Sequence, residues 1–215
     1  MSAEIELERT TTPAEAPAAA PVGNPALLGL MTLLPSGITL GLWFVGYLDT
    51  ATLAGGMIPA VALSAGLFQL IAAVWAATLA ANCVAAIFAL FAAFWLSFGF
   101  LLIGATSGWW GITADNLTSV QSTYLLSFLL AFILMTLATL RLPLVFTAGF
   151  VFVVATFALA YLGVSTGNAG LFPIAGITTF AFCAIFGYIL VDGVNQDLGG
   201  TAGLPMGNRR HRQQL

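Results

Sequence analysis

Few residues in this chain can do chemistry. The single histidine, His211, sits among Arg209, Arg210 and Arg212, where a solvated tail position is the simpler reading. No set of His, Cys, Asp and Glu has the spacing of metal ligands, and Cys83 and Cys183 fall in or beside apolar runs as small fillers. The stretch Gly163-Val164-Ser165-Thr166-Gly167 follows an apolar segment of helix length, not a strand, so it is no nucleotide loop. A basic face for nucleic acid is absent, no cofactor is expected, and an enzyme is the weaker class. The informative groups are neutral. Asn24-Pro25 places a preferred capping residue before the residue type favoured at the first helical position, so a helix begins there with its free N–H groups presented. Such an end attracts anions, although ordinary capping is the simpler account of the pair. Gln69 lies within an apolar stretch, where its amide either binds a permeant or bridges to a neighbouring helix.

The elements that hold these residues must cross a membrane. Of 215 residues 60% are apolar and only 6% charged, with net charge −3 and mean hydropathy +1.03. A water-soluble globule carries about 25% charged residues, and a disordered chain is far less apolar. The charge-free intervals 16–48, 50–114, 116–140 and 142–191 hold one, two, one and two stretches of about 20 residues, the length of a spanning helix. The expected fold is therefore all-α with six transmembrane helices, at about Pro25–Tyr47, Ala54–Leu79, Val84–Ala105, Ser122–Leu140, Leu142–Gly163 and Ala169–Val191. The second turn, at Ala80, Ala81 and Asn82, carries neither charge nor proline. A reversal is still required there, because a single helix over that interval would run about 98 Å, roughly three bilayers.

All five cationic residues are arginines. Arg9, Arg141 and the three C-terminal ones share one side of a six-helix chain, which puts both termini in the cytoplasm by the positive-inside rule. Trp109 and Trp110 then anchor the opposite interface. Residues 1–23 are expected to be a disordered cytoplasmic tail without the features of a signal peptide, residues 24–197 the membrane domain, and residues 198–215 a second cytoplasmic tail. Asp49 and Asp192 read as solvated carboxylates at helix ends. With no acid in the middle of a span, transport would be passive or coupled to protons through the substrate. Thr136, Thr147, Thr156, Thr178 and Thr179 can bond their own helices, the alanines from Ala72 to Ala80 suit close packing, and Pro35 should kink the first helix.

Asn24-Pro25-Ala26-Leu27-Leu28-Gly29-Leu30 resembles the N-P-A-P-L-G-L signature of the acetate uptake transporter family, the acetate and succinate permeases of bacteria and fungi. Further matches follow in the family's order: Gly46-Tyr47, Gln69, Phe94-Trp95-Leu96, Gly163, Gly167-Asn168-Ala169, Tyr188 and Leu204-Pro205-Met206-Gly207. The resemblance implies a six-helix protomer of a homo-oligomer, a hexamer, in the plasma (inner) membrane, moving small carboxylates with one pathway per subunit. Its substrate-contacting positions fall on Asn24, Pro25, Gln69, Asn168 and Tyr188, and its hydrophobic constriction on Leu33, Phe91 and Val153. The family's constriction is Phe, Tyr and Leu, so smaller side chains at Leu33 and Val153 should widen the neck, and Phe91 lacks a hydroxyl. The acidic residue and lysines that relatives carry after the second helix are Ala76, Ala77, Thr78 and Leu79 here, and Gly193 replaces a glutamate, which argues against proton coupling through a cytoplasmic carboxylate. Two other readings stand beside transport of carboxylates: a membrane sensor or scaffold that kept the fold, and a channel for a neutral solute such as ammonia or urea.

Overall fold

The computed structural model describes residues 23–48, 55–200 and 202–207. Six helices are long and apolar enough to cross a bilayer: α1 Pro25–Phe44, α2 Pro59–Thr78, α3 Asn82–Ser107, α4 Leu117–Thr139, α5 Leu144–Thr166 and α6 Leu171–Asp197. The shortest have 20 residues, about 30 Å of helix, which matches the hydrocarbon core. The N-terminal tail, Asp49 and the terminal arginines with His211 lie outside the described residues.

Local chemistry explains the ends. Asn24 caps α1, its side-chain oxygen accepting from the Ala26 N–H at 3.0 Å, with Pro25 next. The reversal after α2 falls where it was expected. Ala80 takes φ 56°, the Ala81 N–H bonds the Ala76 carbonyl at 2.9 Å, and the Ala80 N–H bonds that of Ala77 at 3.1 Å. This is the left-handed stop usually given to glycine, built here on alanine. Helix α4 starts at Leu117, earlier than the expected Ser122, because the Asn116 side chain accepts from the Thr113 N–H at 2.8 Å and organises the preceding turn. Trp109 and Trp110 stand exposed in the α3–α4 connection.

Helix α1 packs between α6 and α2, α3 lies against α2, α5 lies between α4 and α6, and a thin α3–α4 seam completes a ring. Helix α4 buries only Leu129, Phe132 and Thr139, and turns Leu130, Leu134 and Leu137 outward. Such a face suits acyl chains or a neighbouring protomer.

The first half of α2, Pro59–Leu67, is a π-helix. Ser36, fully buried on α1, accounts for it. Its hydroxyl donates to the Ala60 carbonyl at 2.7 Å and accepts from the Ala65 N–H at 3.0 Å, two groups five residues apart. A side-chain hydroxyl thus sits between the partners of an i→i−5 bond, in a region where backbone groups have no water to turn to. Helix α1 is continuous through Pro35, and the Ser64 hydroxyl donates to the Thr32 carbonyl at 3.1 Å beside it.

Two expectations need correction at the end of α6. The helix runs on to Asp197, and Asp192 is not a solvated end residue: it is 5% exposed. Its carboxylate accepts from the Leu204 N–H and from the Gln196 amide, both at 2.6 Å. Nor is the stretch from residue 202 to residue 207 a free tail. Residues 202–207 lie as a strap against α5 and α6, where the Gly207 carbonyl accepts from the Leu144 N–H at 3.1 Å, the Met206 carbonyl from the Val145 N–H at 3.3 Å, and the Pro205 carbonyl from Tyr188 at 3.1 Å. Met206 packs on the hydrophobic core.

Candidate functional site

Two cavities lie along the ring, at opposite ends of the same helices. The inner one, about 50 Å³, is lined by Ala26, Leu30 and Leu33 of α1, Phe88 and Phe91 of α3, Phe146 and Phe150 of α5 and Phe186 of α6, all apolar. The outer one, about 320 Å³, is lined by the other halves of those helices and the start of α4, from Leu40, Phe94 and Thr156 outward to Gln121, Val164 and Phe172.

Between them lies a neck. On α5 the inner cavity stops at Phe150 and the outer begins at Thr156, with Val153 midway. Six residues of helix rise about 9 Å, so the two cavities are separated by less than a third of the bilayer core. Leu33, Phe91 and Val153 are 1%, 3% and 1% exposed, so all three are interior, Leu33 and Phe91 in the wall of the inner cavity and Val153 between the two cavities. Phe91 meets Phe132 with ring centroids 4.9 Å apart, Phe150 at 5.8 Å and Phe186 at 6.1 Å, and Phe157 meets both Phe94 and Phe132 at 4.8 Å. Rings from α3, α4, α5 and α6 pack against one another at this level.

The other nominated residues are not brought together. Gln69 is fully buried, but its amide donates to the Gly29 carbonyl at 3.2 Å and so bridges α2 to α1, the second of the two readings left open for it. Its side-chain oxygen has no partner among the described residues, and neither has the Trp95 indole N–H. Asn168 is exposed at the far end, where it caps the turn into α6 by accepting from the Gly170 N–H at 3.1 Å. Tyr188 is committed to the strap. Pro25 and Asn24 precede Ala26, part of the inner cavity's wall, by one and two positions. None of these five residues lines either cavity. Phe132, Phe150, Phe157 and Phe186 went unnominated because helices apolar on every face carry no period to show which side is interior.

Six apolar helices around two cavities define a multi-pass membrane protein. The chain belongs to the GPR1/FUN34/yaaH family, whose profile matches residues 8–198. Among solved structures it is similar to the bacterial acetate channel SatP, with 27% identity and a TM-score of 0.77 over 87% of this chain and 100% of that one. No curated protein matches its sequence.

Proposed function

We propose that the protein is a channel or transporter for acetate and related small mono- and dicarboxylates, with one pathway inside each protomer gated at Leu33, Phe91 and Val153. The observation that carries this reading is the pair of cavities on either side of a packed aromatic stretch. The similarity to an acetate channel supplies the substrate class. A bare carboxylate has no donor within such a neck, whereas the neutral acid loses only the hydration of one polar group, a few kcal/mol. Uptake of the protonated species would carry a proton with the substrate and need no titratable wall residue. The positive end of the α1 dipole, at Asn24 and Pro25, would attract the anion to the inner mouth.

In this reading Gln69, Asn168 and Tyr188 act through helix bridging, turn capping and strap docking. The arginine side, with Arg141 in the α4–α5 turn, faces the cytoplasm of a plasma (inner) membrane, and the outward apolar face of α4 is available to a homo-oligomer, a hexamer by family resemblance. The test is flux of labelled acetate and succinate into proteoliposomes at pH 5 and pH 7. Acetate flux above empty liposomes, faster at pH 5, is expected. No flux from folded oligomer would favour a non-transporting scaffold, to which a packed neck is equally suited, or a neutral solute such as ammonia or urea.

A further inference from the structure

The outer cavity is large for acetate. At about 320 Å³ it has room for roughly ten waters at their bulk volume of about 30 Å³, and it reaches the lower end of the range for small-molecule sites, about 300–1,000 Å³. Its walls are rings: Trp43, Phe94, Phe98, Tyr124, Phe157 and Phe172 all line it. Water is a poor occupant of such a space, since each molecule needs two to four polar partners. Acetate would bring one methyl group and leave most of the rings uncovered.

The polar groups on the lining narrow the choice further. The Tyr124 hydroxyl donates to the Phe94 carbonyl at 2.8 Å and pairs with Ser97 at 2.9 Å. The Thr156 hydroxyl donates to the Phe152 carbonyl at 2.9 Å and pairs with Thr178 at 2.8 Å. Both are committed within the protein. Gln121, half-buried in the second turn of α4, and the Trp43 indole N–H enter no hydrogen bond among the described residues. Few polar groups and aromatic surface elsewhere suit a ligand with one polar head and a flat apolar body.

We infer that the outer cavity is a binding site for monocarboxylic acids with an aromatic or ring-sized apolar tail, the carboxylate at Gln121 and the tail among the rings. Benzoate is the simplest probe. This rests on the carboxylate-transport reading for its head group, but its test reads binding, not flux. Saturation-transfer NMR on purified protein in nanodiscs at pH 7, against empty nanodiscs, should give saturable benzoate binding, with acetate and succinate competing at least tenfold more weakly. Ala160→Phe and Leu125→Trp, which fill the cavity from α5 and α4, should each abolish it, and Gln121→Leu should weaken it severalfold. Two filling variants on different helices, checked by oligomer elution, guard against one failing to fold. No saturable binding, equal competition by acetate, or wild-type binding by both filled variants would overturn the inference. Acetate flux measured on the same preparation separates the two readings: benzoate binding without flux refutes only transport, and flux without benzoate binding refutes only this site.

Discussion

Ser36→Ala removes a single oxygen from a fully buried position, and the structure says what that oxygen does. Without it the Ala60 carbonyl and the Ala65 N–H lose their shared partner and face a methyl group. A buried backbone group left unsatisfied costs about 1–3 kcal/mol, so two of them, partly relieved by local tightening of the π-turn, should cost about 2–4 kcal/mol. For a chain of this size 1 kcal/mol moves the midpoint by about 2–4 °C, which puts the drop in apparent melting temperature at roughly 5–15 °C. The assay is thermal unfolding of the purified oligomer followed by intrinsic fluorescence. Thr166→Ala serves as the control, since that exposed hydroxyl only bonds the Leu162 carbonyl of its own helix. A Ser36→Ala midpoint no lower than that of the control would refute the claim that this hydroxyl holds the π-segment.

Three other substitutions probe separate parts of the account. Asp192→Ala takes away the charged acceptor of the Leu204 N–H; such bonds contribute about 1.5–3 kcal/mol, so hydrogen exchange in residues 202–207 should quicken about tenfold to a hundredfold, and unchanged exchange would mean the strap is held otherwise. Gln69→Leu removes a helix-bridging bond together with an orphaned oxygen, so stability should change by less than about 1 kcal/mol and acetate flux should persist; loss of flux in a stable variant would restore Gln69 as a substrate ligand. Ala80→Gly relieves a left-handed residue and should raise the melting temperature by a stabilisation of about 1 kcal/mol, a gain that would not appear if the α2–α3 turn opened in the membrane.

The six spans were legible because charges are rare enough to act as punctuation: Asp115, Arg141 and Asp192 each lie near a boundary, and the long interval between Asp49 and Asp115 demanded the turn found at Ala80. The same logic misled at Asp192. An acid reads as a solvated end only if its partners are unknown, and the Leu204 N–H that satisfies it comes from a segment that composition alone makes look unstructured. The π-segment was invisible because it depends on Ser36 from another helix, not on any residue within Pro59–Leu67. Matching to a family signature pointed to Leu33, Phe91 and Val153, and all three are buried. What it missed was Phe132, on a helix the signature does not touch, whose ring centroid lies 4.9 Å from that of Phe91.

The central claim is that solute passes within the protomer at Phe91. Acetate flux through Phe91→Ala and Phe91→Trp in proteoliposomes addresses it most directly, with folded oligomer confirmed for both. Removing the ring joins two cavities separated by about 9 Å, so the alanine variant should conduct faster than wild type, while the larger indole should reduce flux to the level of empty liposomes. Wild-type flux in both variants would place the pathway elsewhere, between protomers or along another face of the bundle.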